Sequence, residues 1–359
     1  MIIYLIPLFL LSLLSCLENK IKYHLFVKNK YFYLLILTFF IFFIGFRNQI
    51  GCDWDAYLKN FDLVSSSSWE SFKIRESGFF DIGYSTISKL ISYKFGFNIL
   101  IFIISSFFTI PLFLFCYQLK RTYLSLLISY PYFIVVIGMG PLRQSVAIGF
   151  LMLSIIFLLK KKSTLFYLFS FLSGMFHSSA IIFTSLDFIN LRNLNNTKYK
   201  NIFRIIFIFL IFLLIIYNFD WVYSKVYYYF FNYKGISKAK SAIFIWLINF
   251  IPMTLYITNI SKFNFDKNLY KIILFFFSYE LLLFFILLIN KVLAYRFLLY
   301  CFPITIYITS HLPDVKIFKF KSEYVSYFIM SLSIFSLVFW MKYANHSYCW
   351  LPYQNFLFN

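Results

Sequence analysis

Long apolar runs alternate with short polar segments along most of the chain, and this pattern predicts a membrane protein built from helices. Most of the runs are long enough to cross a hydrocarbon layer of about 30 Å as helices. The predicted fold class is therefore all-α and polytopic, with about ten full spans. Their approximate bounds are 1–17, 31–46, 96–118, 122–139, 142–159, 203–220, 241–260, 272–289, 293–311 and 324–340.

The segment 163–190 is too short to cross a membrane and return as two complete helices. We expect a hairpin of two half-length helices that breaks within "SGMFHSS". There Gly174 can end one helix, and His177 or Ser178 can begin the next. Breaks of this kind inside a membrane commonly mark ligand sites.

Basic loops orient the spans, because positively charged loops are retained on the cytoplasmic side. The loops at 18–30, 120–121, 160–162, 192–204, 261–271 and 314–321 would be cytoplasmic, which places both termini outside. The whole chain, 1–359, then forms a single integral membrane domain. Its external loops are 47–95, in which 81–94 has the spacing of an amphipathic helix, and 221–240.

Composition supports this class and excludes others. Hydrophobic residues make up 62% of the chain and the mean hydropathy is +0.79, more apolar surface than a water-soluble core could bury. The net charge of +20 comes mainly from lysines in loops, so we expect no nucleic-acid partner. Five scattered cysteines have no metal-ligand spacing, and we expect neither a disulfide framework nor a zinc site.

Arginine is rare, with seven against twenty-six lysines, so each arginine is informative. Four of them, Arg47, Arg75, Arg143 and Arg296, fall on the external side, against the rule that orients the spans. Arg296 lies a few residues inside a predicted span, where a charge is costly unless it faces a partner or a wet cavity. These positions indicate an external anionic ligand.

Arg143 lies in "GMGPLRQSVA", where Pro141 suits the first position of a helix and Gln144 shares its first turn. A helix N-terminus attracts anions, and an added guanidinium can bind phosphate oxygens in a bidentate manner. The alternative is an arginine that reaches lipid headgroups.

Three side chains are candidates for acid–base chemistry. His177 stands at the predicted helix break, although an isolated histidine among apolar residues is often a core residue. Asp53, in "FRNQIGCDWDAY", could instead cap a short helix, with Trp54 and Tyr57 as interfacial anchors. Glu76 could instead form a surface ion pair with Arg75. Carboxylates 53 and 55 lack the further oxygen ligands that a cation site needs, so no metal is predicted.

Taken together, six motifs resemble a known family in their order along nearly the whole chain. They are "FRNQIGCDWDAY", "ESGF" at 76–79, "GPLRQSVAIGF", "FHSSAIIF" at 176–183, "YRFLLY" at 295–300 and "LPYQNF" near the end. This set resembles the EpsG-type proteins, which are Wzy-like bacterial polysaccharide polymerases. Cys52 departs from the small or hydroxyl residue often found at its position.

The resemblance implies a glycosyltransferase that joins oligosaccharide repeat units of O-antigen, capsule or exopolysaccharide at the outer face of the bacterial cytoplasmic membrane. Its donor would be a glycan on undecaprenyl pyrophosphate, with a flippase and a chain-length regulator as further partners and no cofactor. On this reading Arg47, Arg143, Gln144, Arg296, Trp54 and Tyr57 bind pyrophosphate or glycan. His177, Asp53 and Glu76 are the candidates for catalysis, and their ranking stays open.

Two other activities compete with polymerisation. A flippase for lipid-linked sugars also needs many helices and a cationic site, but its charges should line a cavity reachable from both sides. An O-antigen ligase would use the same donor and a similar arginine set, with lipid A core as acceptor.

Overall fold

The computed structural model describes residues 1–18, 29–68, 81–189, 223–224, 227–228, 241–315, 317 and 320–357. Over these residues the chain is helical and contains no β-strand beyond one isolated bridge. The α-helices are α1 (Ile2–Glu18), α2 (Lys30–Gly45), α3 (Trp54–Ser66), α4 (Ile82–Ser92), α5 (Phe97–Tyr117), α6 (Thr122–Ser129), α7 (Leu142–Leu159), α8 (Ser163–Phe176), α9 (Leu186–Ile189), α10 (Ser241–Thr258), α11 (Lys267–Ile289), α12 (Lys291–Leu298), α13 (Phe302–His311) and α14 (Ser322–Tyr343). A π-helical segment, Tyr130–Ile137, continues α6, and 3-10 segments occupy Ser178–Ser185, Ile260–Lys262, Leu299–Cys301, Leu312–Asp314 and Ser347–Trp350.

Six of these helical segments are long and apolar enough to cross a membrane. They are Phe97–Tyr117, Leu142–Leu159, Ser241–Thr258, Lys267–Ile289, Lys291–Asp314 and Ser322–Tyr343. The predicted spans 1–17, 31–46 and 122–139 fall on shorter apolar helices, and 203–220 lies outside the described residues. Ten full crossings are therefore not confirmed, because a helix of 16 or 17 residues is only about 25 Å long.

The core is packed around α5, which contacts both α2 and α7. The approach to α7 is close because Gly149 has no side chain: a Cβ there would lie 3.0 Å from the carbonyl oxygen of Phe107. At the interface with α2, a Cβ on Gly45 would lie 2.8 Å from the ring of Phe102. Small residues thus bring the helices together, as is usual where lipid supplies no hydrophobic drive for association.

The hairpin after α7 reverses at His177, whose backbone is extended between α8 and the 3-10 segment. Ser173 donates to the carbonyl of Ala147 at 2.6 Å, so α8 runs back along α7 nearly to its first turn. The Tyr167 hydroxyl then bonds the Asp187 carboxylate, which ties the returning arm to α8. That arm is mainly 3-10 and not the α-helix we expected, and most of the predicted loop 221–240 lies outside the described residues.

At the end of the bundle away from this reversal, charged groups join neighbouring helices. The Glu18 carboxylate accepts from the backbone N–H groups of Thr122 and Tyr123 at 2.8 and 3.2 Å and so caps α6. Arg121 donates from Nε and Nη2 to one oxygen of Asp314, at 3.2 and 2.7 Å. These contacts lie where α1 ends and α6 begins, and just beyond the end of α13.

At the other end, the last residues of the chain fold back onto the loop that follows α2. Cys52 and Cys349 form a disulfide, so our expectation of none was wrong. An odd number of cysteines forbids complete pairing but not one pair, and the fold brings together two residues 297 positions apart. Backbone bonds from Asn48 to Gln354 and from Gly51 to Cys349, at 3.0 and 2.9 Å, complete this C-terminal clasp.

Candidate active site

Polar side chains from five parts of the chain meet at the end of the bundle that carries the clasp. The parts are the loop and helix at α3, the start of α4, the first turn of α7, the hairpin tip and the region of α12. Hydrogen bonds and one cation–π contact connect them, as described below.

Arg143 is held in place from two sides. Its Nη1 donates to the Asp81 carboxylate at 2.9 Å, and its guanidinium lies over the Tyr57 ring, 5.9 Å from the centroid. Burial raises the pKa of the Tyr57 phenol, while the Arg143 charge acts in the opposite direction, so the hydroxyl keeps its proton at neutral pH. The Arg143 side chain is still 43% exposed, so the fixed guanidinium faces outward.

The helix that carries Arg143 begins one residue later than its sequence predicted. Pro141 occupies the cap position, and α7 starts at Leu142. Arg143 and Gln144 still lie in the first turn, where unpaired N–H groups and the helix dipole favour an anion. Gln144 is buried, and its amide N–H donates to the backbone carbonyl of Arg296. This contact places the exposed Arg296 side chain beside the start of α7.

His177 lies at the hairpin tip and is partly buried. Its Nδ1 lies 2.9 Å from the Ser179 hydroxyl, which in turn lies 2.9 Å from the Tyr300 hydroxyl. Burial lowers the pKa of the His177 imidazole, and the positive charges of Arg143 and Arg296 act in the same direction.

Asp53 precedes α3 and is exposed. Its side chain makes no capping hydrogen bond, so the capping alternative is not supported. Asp53 lies one helical turn before Tyr57, whose backbone N–H donates to the Asp53 carbonyl at 3.0 Å. The Tyr295 hydroxyl is paired with that of Tyr132 at 2.6 Å. Asp53 therefore lies at the edge of the same site.

The structure places two predicted ligand-binding residues inside the protein instead. Arg47 is only 1% exposed, and its Nη1 donates to the Ile44 carbonyl and the Ser105 hydroxyl at 2.6 and 2.8 Å. Trp54 is 8% exposed, with its ring edge-on to Phe97. Both side chains are buried against other protein groups, so in this structure neither is accessible to pyrophosphate or sugar.

Other site residues were missed or cannot be placed. Ser179 and Tyr300 escaped notice, although both lie within the motifs "FHSSAIIF" and "YRFLLY". Asp81 follows "ESGF" by two positions, and its left-handed backbone, with φ of 76°, turns the chain into α4. Glu76 and Arg75 lie outside the described residues. Within the described part of the chain, no three His, Cys, Asp or Glu side chains are grouped to hold a metal ion.

A family model described as the EpsG family matches residues 30–355, which include all the site residues above. This match covers most of the chain. The chain belongs to the EpsG family. Comparison with curated proteins and with solved structures found no match.

Membership of the EpsG family indicates a polysaccharide polymerase or a glycosyltransferase-type enzyme. The long apolar helices indicate that this EpsG-family protein is a membrane protein. The matched region begins at the start of α2, so the site and the clasp lie within it and α1 lies before it.

Proposed function

We propose that this EpsG-family protein polymerises oligosaccharide repeat units carried on undecaprenyl pyrophosphate, on the outer face of the bacterial cytoplasmic membrane. The observation that carries the proposal is a set of contacts at one end of the bundle: Gln144, next to Arg143, bonds the backbone of Arg296, and Ser179 links His177 to Tyr300. Two guanidiniums match an anionic leaving group, and an imidazole matches an alcohol that must lose a proton.

In this reaction a hydroxyl of the acceptor repeat attacks the anomeric carbon of the donor glycan. The bond between that carbon and the phosphate oxygen breaks, and its electron pair leaves with the lipid pyrophosphate. Arg143 and Arg296 stabilise the charge that grows on the leaving oxygen, which lowers the barrier because they are already oriented. No metal ion is required in this scheme.

His177 is the proposed base. Of the two candidates that the structure describes, His177 is the one that is partly buried, and Ser179 lies 2.9 Å from its Nδ1. In this scheme the Asp53 carboxylate, which is exposed, contacts the acceptor sugar.

The disulfide supports the proposed orientation. Disulfides persist in oxidising compartments and are rare in the cytosol. Cys52 and Cys349 lie at the end that carries Arg143 and His177, whereas the basic residues 160–162 follow the other end of α7. An external site therefore agrees with both redox chemistry and loop charge.

Reconstitution can test the proposal. The purified protein in lipid vesicles is given an undecaprenyl-pyrophosphate-linked repeat, and the products are separated by length. We expect a ladder of longer glycans with release of lipid pyrophosphate, unchanged by a metal chelator and lost in His177→Ala. Movement of the lipid-linked repeat across the bilayer without chain growth would indicate a flippase. Growth only onto lipid A core would indicate a ligase.

A further inference from the structure

We propose that Trp350, tethered by the disulfide beside it, is a positioning residue for Arg143. Its contacts fix the turn 138–141, which joins the π-helical segment Tyr130–Ile137 to the first turn of α7. The inference rests on the proposed function for its effect on turnover, and on the contacts of the C-terminal clasp for its geometry.

The indole of Trp350 donates to a carbonyl at the end of the π-helical segment. In a π-helix the N–H of residue 140 would bond the carbonyl of residue 135. Gly140 instead donates to the Ile137 carbonyl at 3.3 Å, because the chain turns there. The Val135 carbonyl accepts from the Trp350 indole N–H at 2.9 Å. A residue of the clasp thus supplies a donor where the helix ends.

The turn lies between this indole and the loop that follows α2. A Cβ on Gly140 would lie 3.3 Å from the Trp350 ring. The Met139 carbonyl lies so close to Gly51 that a Cβ on Gly51 would collide with it. Met139 is buried, so the turn is packed from both sides. Gly140 precedes Arg143 by three positions, and a shift of the turn therefore moves the guanidinium.

Trp350 itself is held at several points. It is buried, and its ring is edge-on to that of Trp340 in α14, with the centroids 5.1 Å apart. Its backbone carbonyl accepts from the Tyr4 hydroxyl of α1 at 2.8 Å. The preceding residue, Cys349, is bonded to Cys52. These contacts join the indole to α1, α14 and the loop after α2, so it is a fixed support for the start of α7.

The position of that start matters because Arg143 has partners on other helices. Its guanidinium donates to Asp81, which precedes α4, and lies over the ring of Tyr57 in α3. A displacement of the first turn of α7 changes both contacts together, and with them the direction of the donors left for pyrophosphate. A misplacement of about 1 Å at a reacting site can cost about 100-fold in rate.

Kinetics on the reconstituted full chain test the role with a matched control. Trp350→Phe keeps a ring and removes the N–H donor, so kcat per folded molecule should fall by roughly 10- to 100-fold, with a smaller change in KM for the donor. Trp246→Phe removes a similar bond, from the Trp246 indole to the Glu280 carbonyl at 3.2 Å, between α10 and α11. Its kcat should match the wild type. In an Arg143→Lys background, Trp350→Phe should cause little further loss, because Trp350 acts through Arg143.

Three results contradict the positioning role. They are a wild-type kcat in Trp350→Phe, an equal loss in Trp246→Phe, and the same fold-loss from Trp350→Phe when Arg143 is already lysine. The last result would mean that the indole affects turnover by a route that does not involve the guanidinium.

The disulfide gives a second test that does not depend on the folding of a tryptophan variant. Reduction of the folded wild-type protein frees the residue next to Trp350, and kcat should fall. Cys349→Ser should start from the lowered kcat and show no response to reductant. Full turnover in wild-type protein whose two thiols have been shown by labelling to be reduced overturns the tethered role.

The position of Arg143 can also be read without any turnover. The chain has seven arginines, so ¹⁵N-arginine labelling gives few guanidinium signals, and the Arg143 signal is the one absent in Arg143→Lys. We expect this signal to shift in Trp350→Phe and to stay in place in Trp246→Phe. An unmoved signal in Trp350→Phe overturns the positioning. Because this readout needs no substrate, it stands even if the reconstituted protein forms no polymer, and failure of the two claims can be told apart.

Discussion

Arg143→Lys separates charge from geometry at the candidate site. The Nη1 of Arg143 donates a hydrogen bond to the Asp81 carboxylate at 2.9 Å, and the Arg143 side chain remains 43% exposed. The ion pair therefore orients a planar group that keeps further N–H donors for an anion. Lysine has a single ammonium, which would have to serve both Asp81 and the pyrophosphate.

Two losses are expected, and they differ in size. Surface ion pairs contribute about 0.2–1 kcal/mol; this pair is partly buried, but lysine retains part of it, so the stability cost should stay near or below about 1 kcal/mol. Removing one fixed donor from a developing anion typically lowers kcat by about 10²–10³, or about 2.7–4 kcal/mol. We therefore expect a fall in turnover of roughly 100- to 1000-fold. The thermal midpoint should fall by no more than about 4 °C.

The chain offers a matched control at the opposite end of the bundle. Arg121 also faces an aspartate, with Nη2 2.7 Å from Asp314, and it donates to Ser322 and Ser326 at 2.8 and 3.1 Å. Arg121→Lys should lower the thermal midpoint more than Arg143→Lys, because more hydrogen bonds are lost. Its turnover per folded molecule should match the wild type.

The assay compares the two variants in vesicles, with turnover from the glycan ladder and folding from thermal denaturation. Wild-type turnover in Arg143→Lys would refute an arginine-bound pyrophosphate. Parallel losses of turnover and stability in both variants would show that the guanidinium of Arg143 only holds the fold.

Three further outcomes test the packing around the site. Cys349→Ser should lower the thermal midpoint and make it insensitive to reductant, whereas Cys116→Ser, at a buried free thiol, should leave the reductant effect intact. Gly51→Ala should cost more than about 1 kcal/mol, measured as reduced thermal stability, because φ is 101° and a Cβ would lie 2.4 Å from a backbone oxygen. Gly96→Ala, with open space at its Cβ, should have little effect. Arg47→Ala should reduce the amount of folded protein in the membrane by immunoblot, because it empties a buried site; normal levels with accumulated repeat units would instead favour a role in binding.

Part of the candidate site could be predicted from the sequence because its signals are local. Arginine is rare in this chain, and Arg143 and Arg296 drew attention because they fall on the external side, where the positive-inside rule does not favour them. His177 drew attention because it lies at the predicted helix break. The structure brings these three together, while their roles stay predictions. Asp81 and Tyr300 gave no comparable signal, because no charge rule marks an aspartate in a predicted external loop and tyrosines are numerous in this chain.

The same local reasoning predicted exposure for Arg47 and Trp54, whereas the structure buries both side chains. Both stand in the motif "FRNQIGCDWDAY", next to a predicted span, which favours exposure at the interface. Instead the C-terminal clasp covers this loop, with Asn355 bridged to Arg47 and Trp350 buried nearby. No pattern within the motif can show that a distant segment will cover it.

Hydropathy alone predicts a helical membrane protein, because apolar runs of helical length must satisfy their own backbone hydrogen bonds in lipid. Charge and length also limit what can cross, which predicts a chain reversal near His177. Which polar groups become partners depends instead on the fold. The Cys52–Cys349 bond, the Arg143–Asp81 ion pair and the Ser179–Tyr300 contact join residues 297, 62 and 121 positions apart. Such pairs depend on how helices pack, and packing is a property of the whole chain that no local pattern encodes.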